Sequence, residues 1–362
     1  MKFTSLALAV GLLASSSLAM SAAHTSPDAA GKMPAKAAAS MRADADMQAV
    51  LDAHAALNPK PIEKLTPADA RKQPTPADAV NAVLKKQGKS TDPVTLVPGI
   101  KSADRMIAGA AGQIPARVYT PAGAGPFPVI VYFHGGGWVI GDKQVYDGGA
   151  RGLAKQANAV VVSVDYRLSP ESKFPAAWDD SLAAYKWALA NAKAINGNPK
   201  KFAIAGESAG GNLALTTAIA ARDAGVQAPL HVLAAYPVAQ TSLTTESYQQ
   251  HAMAKPLNKA MIEWFVGHLT TSPEELKDPR LNVVAAKLQG LPPVTIINAQ
   301  IDPLLSDGVQ MEAALKAAGV PVERKMYEGV THEFFGMAAV VSKAKDAQQY
   351  AGKRLKEAFG PR

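Results

Sequence analysis

From about residue 105 onward, short apolar and β-branched runs alternate with longer stretches of helical period. The runs Arg105–Ala110, Ile114–Tyr119, Val129–Phe133, Ala159–Val164, Phe202–Ala205, His231–Ala235, Val294–Asn298 and Glu323–Tyr327 read as strands. The stretches 145–157, 176–193, 209–222, 307–318 and 338–358 read as helices. Alternation on this scale predicts an α/β fold: a mostly parallel, eight-stranded sheet covered by helices on both faces. No helix separates the first two strands, so they form an antiparallel edge. Between about residues 238 and 290 the alternation stops, and a helix-like run from Leu257 to Leu269 sits in a polar stretch, which marks an insertion. Residues 46–100 have a helical pattern interrupted by Pro59, Pro61, Pro67, Pro74 and Pro76. Several short helices are expected there rather than one long one. With the insertion they form a helical cap over a catalytic domain spanning 101–362.

The first residues follow another logic. Lys2, an apolar run from Phe3 to Leu13 and small residues up to Ala23 give residues 1–23 the three zones of a secretory signal. Cleavage after Ala19 or Ala23 fits the small-residue rule. Ser15-Ser16-Ser17 breaks the run well short of the roughly 20 apolar residues that span a bilayer. Export to the periplasm or the medium, with no membrane span after cleavage, is the expectation. Residues 24–45, rich in Ala, Ser, Lys and Pro, form a flexible lead-in. The chain has no cysteine, which excludes disulfides, a thiol nucleophile and thiolate metal sites. Its net charge of +8 is spread over single and paired Lys and Arg without a basic stripe, so nucleic acid is not an expected partner.

Gly206-Glu207-Ser208-Ala209-Gly210 matches G-x-S-x-G. Alone, the pentapeptide is also what a plain strand-to-helix turn looks like. Here an apolar strand precedes it and a helical pattern follows it, the setting in which such a serine is lifted to the carboxyl end of a sheet as a nucleophile. His134-Gly135-Gly136-Gly137-Trp138 follows another strand. Three glycines there expose backbone N–H groups that can receive an oxyanion; a phosphate cradle is the rival reading, but the Lys-Ser/Thr tail it needs is missing. A serine hydroxyl requires a base. Of seven histidines, His332 lies in a loop just after the last strand, at the same sheet edge as Ser208. Asp302 follows the strand before it and can orient the imidazole; capping the helix near Asp307 is its alternative role. Glu333, adjacent to the base, is a weaker orienter. His134 reads as a brace for the glycine loop.

These residues resemble the hormone-sensitive lipase family of α/β-hydrolases, the bacterial family IV esterases with an HGGG loop. The likeness runs from about residue 105 to 340 and includes Tyr166-Arg167-Leu168-Ser169-Pro170-Glu171, Phe174-Pro175-Ala176-Ala177, Asp302-Pro303-Leu304 and His332-Glu333-Phe334. It implies the α/β-hydrolase fold and hydrolysis of short- to medium-chain carboxylic esters without metal or other cofactor. It also implies Ser208, Asp302 and His332 as catalytic residues, with oxyanion donors among Gly135, Gly136, Gly137 and Ala209, foremost Gly136 and Gly137. Glu207 departs from the aspartate that many members carry, and the Tyr166–Ala177 stretch is given a scaffold role. Trp138, Met253, Trp264 and Phe265 are the candidates for contact with substrate, although packing of an apolar helix face explains the last three equally well. Amidase, lactonase or acyltransferase chemistry would use the same residues, and a ligand receptor on a dead hydrolase scaffold is a rival that predicts a missing catalytic residue. The partner expected is a small ester; a homodimer is left open.

Overall fold

The computed structural model describes residues 42–361; the signal and nearly all of the lead-in expected at the N-terminus lie outside them. Eight strands form one sheet: β1 (Ile100–Gly109), β2 (Gly112–Pro121), β3 (Phe127–Phe133), β4 (Val160–Val164), β5 (Gly197–Glu207), β6 (Val232–Ala235), β7 (Val294–Ile301) and β8 (Val322–Thr331). Their spatial order is β1-β2-β4-β3-β5-β6-β7-β8. The β1–β2 and β2–β4 pairs are antiparallel and all others parallel. The expected antiparallel edge is therefore present. β1 starts five residues ahead of its predicted start, in a segment carrying Lys101, Asp104 and Arg105 that is almost wholly exposed. An edge strand with so little burial leaves no apolar signature.

The helices in chain order are α1 (Ala45–Ala56), α2 (Pro67–Ala70), α3 (Pro76–Lys86), α4 (Pro93–Leu96), α5 (Asp147–Ala157), α6 (Ala176–Ala190), α7 (Ala209–Asp223), α8 (Glu246–Gln250), α9 (Lys259–Leu269), α10 (Leu305–Ala317) and α11 (Ser342–Phe359). The alternation along each central strand divides the core in two. Val129, Val131 and Phe133 of β3, with Phe202 and Ile204 of β5, pack on α6, α7 and α10 through Tyr185, Leu213 and Met311. Ile130 and Tyr132, with Ala203 and Ala205, face α5 and α11 through Leu153 and Leu355, and the N-terminal helices through Met47 and Leu84. Two fully covered faces explain why these strands read as unbroken apolar runs.

Several prolines in the N-terminal region start helices instead of only breaking them. Pro67, Pro76 and Pro93 occupy first-turn positions after Thr66, Thr75 and Asp92, whose side chains accept the freed backbone N–H groups. Thr75 and Asp78 form a reciprocal capping box. The cap these helices make is fastened at two places. The Trp264 indole of α9 donates to Leu65 O at 3.1 Å, joining the insertion to the N-terminal segment. Arg71, just after α2, donates to Val139 O and Ser169 O and makes a two-pronged pair with Glu171, all at 2.8 Å. The Arg71 hydrogen bond holds the Glu171 carboxyl down at about 2. The Tyr166–Ala177 stretch thus has the scaffold role expected of it, since it carries both the receiver of this clamp and Arg167, which pairs with fully buried Asp180 at 2.7 Å.

Candidate active site

β5 ends at Glu207 and α7 begins at Ala209, so the whole turn falls on Ser208, held at φ 57 and ψ −119. A non-glycine residue there is strained and persists only because its surroundings fix it. The glycine two residues on is required by contact: a Cβ on Gly210 would lie 2.0 Å from Phe133 O. The Ser208 hydroxyl is 2.9 Å from His332 Nε2, and His332 Nδ1 is 2.7 Å from Asp302 Oδ2. Asp302 is wholly buried and its other oxygen accepts from Leu304 N at 2.8 Å, so it also secures the turn into α10. Asp302 does not cap α10, whose N-cap is Leu304 without a side-chain bond, so of its two expected roles it takes the orienting one. Burial alone would lower the His332 pKa, but the charge and hydrogen bond of Asp302, joined by Glu333 and Glu207, outweigh it and hold the ring above the ordinary histidine range. Such a chain of groups can pass a proton from hydroxyl to ring and back.

Gly136 and Gly137 line the same cavity as Ser208, whereas Gly135 lies behind them against the Tyr146 ring. Gly137 adopts φ 59, and a Cβ there would stand 2.3 Å from the Phe265 ring. No hydrogen bond from the Gly136 or Gly137 N–H is found among the described residues. Ala209 opens α7, where first-turn N–H groups have no partner within the helix. Gly136 and Gly137 thus share one cavity with Ser208, and Ala209 follows the serine directly. His134 is the brace expected of it: fully buried, bonded to Gly135 O at 2.7 Å and stacked on Tyr166, with burial depressing its pKa. Tyr166 in turn donates to His134 O at 2.8 Å. Of the four other described histidines, His54 is bonded to Pro74 O, His231 to Thr295 Oγ1, and His268 packs on the Trp264 ring.

A cavity of about 920 Å³ opens on Ser208, walled by the cap through Leu51, His54, Ile62 and Val80 and by the insertion through Leu257 and Phe265. A smaller one of about 80 Å³, also touching Ser208, is lined by Trp138, Val238, Tyr248, Phe265 and Leu304. Of the expected substrate contacts, Phe265 borders both cavities and Trp138 the small one, while Met253 stands at the rim of the large one, 86% exposed. Trp264 borders neither: its ring packs on Phe265 and His268 and its indole N–H fastens the cap. Among the described residues no group of three or more His, Cys, Asp or Glu could hold a metal.

Sequence reasoning overlooked a ring of acids and phenols around His332. The Tyr236 ring lies 4.5 Å from the imidazole, and both Tyr236 and Tyr132 donate to Glu207. Tyr146 donates to Glu333 at 2.7 Å. Only the departure at Glu207 signalled any of this. Burial, then repulsion from Glu333, pushes the Glu207 carboxyl up to about 8.

With this geometry in place, comparison with known proteins is specific. A profile of the alpha/beta hydrolase fold matches residues 130–336. The chain is 38% identical over 292 residues to the carboxylesterase NlhH of Mycobacterium tuberculosis, covering 79% of this chain and 91% of that one. It is 33% identical over 239 residues to an ethyl acetate hydrolase of Pseudomonas putida, covering 64% and 75%. A crystal structure of a thermostable esterase from Pseudomonas putida superposes with a TM-score of 0.78 at 34% identity, over 89% of this chain and 99% of that one. The chain belongs to the α/β-hydrolase family, in its hormone-sensitive lipase type. It is a carboxylic ester hydrolase.

The raised Glu207 carboxyl makes a prediction. In the folded chain it keeps its proton between pH 4.5 and 8, where the unfolded chain releases it, so stability falls as pH rises through that window. Replacing it by a neutral isostere, Glu207→Gln, removes this loss. Urea unfolding of both proteins should show the variant gaining stability relative to the parent from pH 4.5 to 8; parallel pH profiles would contradict the assignment.

Proposed function

We propose that this chain hydrolyses short- to medium-chain carboxylic esters through an acyl-enzyme on Ser208. His332 is the general base, Asp302 orients it, and the N–H groups of Gly136, Gly137 and Ala209 receive the oxyanion. The observation that carries this reading is the unbroken Ser208–His332–Asp302 chain, with links of 2.9 and 2.7 Å, opening on a cavity that Gly136 and Gly137 also line. A receptor on a dead scaffold would lack one of these parts.

The ester carbonyl lies over Ser208, and His332 takes the hydroxyl proton as the carbon–oxygen bond forms. Charge on the carbonyl oxygen falls toward donors already in place, each worth roughly 3 to 4 kcal/mol of barrier. Collapse expels the alcohol, which takes the proton from His332. Water then repeats the sequence and releases the acid. Because the reaction needs neutral His332, its raised pKa moves the acid limb of the activity profile above the ordinary histidine range. The small cavity, which reaches Ser208 and is lined by Trp138, Val238, Tyr248 and Leu304, takes the acyl chain, and its size against the 920 Å³ of the other keeps that chain short. The alcohol side faces the large cavity. That a relative is named for ethyl acetate supports the preference for short chains.

A series of nitrophenyl esters of increasing acyl length tests this directly. Turnover should peak on short chains, fall about a millionfold in Ser208→Ala, and shift to longer chains in Phe265→Ala, which joins the two cavities. Undiminished hydrolysis by Ser208→Ala would overturn the assignment, and amides or lactones cleaved in preference would redirect it. We also propose export, supported by the signal-like residues 1–23; the mature protein should begin after Ala19 or Ala23 on N-terminal sequencing, and an intact Met1 in cell extracts would refute it.

A further inference from the structure

Glu333 follows the catalytic histidine and is held at φ 71, a left-handed conformation that non-glycine residues rarely adopt. The turn has a consequence for its side chain. The Nδ1 nitrogen of His332 belongs to Asp302. Glu333 instead brings Oε1 to 3.8 Å from Nε2, the nitrogen that faces Ser208. The same oxygen accepts the Tyr146 hydroxyl at 2.7 Å, and the Tyr146 ring is itself packed behind Gly135, so this oxygen is held by a buried phenol. Glu333 borders the large cavity with Ser208 and His332.

At 3.8 Å the carboxylate makes no direct hydrogen bond to the ring. In the resting enzyme Nε2 is engaged by the serine. Once Ser208 is acylated its oxygen has no proton to give, and Nε2 is free to accept one from water. An oxygen placed about 2.8 Å from both Nε2 and Oε1 closes a triangle over the gap. One of its protons then points at the base, the other at the carboxylate, and a lone pair remains for the acyl carbon.

We propose that Glu333 is a further catalytic residue of the second half-reaction, its carboxylate holding the hydrolytic water against His332 Nε2. The inference rests on the acyl-enzyme reading above. In the step, one water O–H bond breaks and its proton passes to Nε2 as the new carbon–oxygen bond forms. The tetrahedral intermediate then breaks its bond to Ser208 Oγ, which takes that proton back. Glu333 gains no proton; it accepts the second O–H as a hydrogen bond throughout. The groups facing it are His332, Tyr146, Glu207 and Asp302. Burial, with the nearby charge of Asp302, holds the Glu333 carboxyl above its ordinary value, and the charge of His332 and the Tyr146 hydroxyl oppose that only in part.

The test separates the two half-reactions by stopped-flow with nitrophenyl butyrate on the full chain, Glu333→Ala and Glu333→Gln. Loss of the carboxylate should slow release of the acyl group about ten- to a hundredfold while the first turnover changes less than about threefold. Glu333→Ala should therefore show a burst of nitrophenol near one equivalent, a lowered KM with the lowered kcat, and acyl-enzyme visible by intact mass. Glu333→Gln, which keeps the shape and can keep the Tyr146 contact, should show the same pattern more weakly. Both steps slowed by the same factor, or deacylation unchanged in both variants, would overturn the proposal. Absence of any burst or acyl adduct in the parent and both variants, with hydrolysis persisting in Ser208→Ala, would instead remove the acyl-enzyme reading on which it rests.

Discussion

The turn between β5 and α7 confines a whole change of direction to Ser208, and most of the structure around it can be understood as what keeps that residue at φ 57. The backbone of β3 passes so close to Gly210 that no side chain fits between them. Phe202 and Ile204 anchor the strand that feeds the turn, and Leu213 anchors the helix that leaves it, all in one core. Strain of this kind costs on the order of 1 to 3 kcal/mol and is held by packing that has no second arrangement. The return is a hydroxyl raised above the sheet beside a helix N-terminus, within reach of loops from three other strands.

Those loops are placed by parallel pairing. β3, β5, β7 and β8 all run toward one edge, so the glycine loop, Ser208, Asp302 and His332 meet there though they are spread over about two hundred residues of chain. Their positions are then refined by contacts of two kinds. Apolar packing sets the sheet and its helices, while single polar links set the loops: Tyr166 to His134 O, Arg71 to Val139 O, Tyr146 to Glu333. The Arg71 link ties the N-terminal helices to the segment directly after the glycine loop, so these helices and the loop share one support. That arrangement makes the cap part of the site rather than a cover laid over it.

How far the sequence carried this account follows from the same division. Buried parallel strands and the helices between them announce themselves through runs and periods, and Ser208, Asp302 and His332 stand at the ends of such strands in a telling order. β1 was legible only in part because it is exposed, and β5 and β8 extend beyond their apolar cores. Contacts made by one polar side chain across the chain left no trace: Arg71 lies 68 residues from Val139, and the helical pattern around it says nothing of where its guanidinium goes. Trp264 looked like a pocket residue because an aromatic on an amphipathic helix fits a pocket and a clamp equally well. Glu333 was undervalued because it was weighed only as an orienter, a place that Asp302 holds at Nδ1; the left-handed turn that brings it near Nε2 cannot be read from residue types.

The central claim is that one serine, activated by its neighbours, carries the covalent chemistry. Treatment with a fluorophosphonate, followed by intact-mass measurement and peptide mapping, tests it most directly. The account predicts one phosphonyl group per chain, located on Ser208, with labelling strongly suppressed when Asp302 is replaced by Asn. A label on another residue, or a rate at Ser208 unchanged by that replacement, would contradict it.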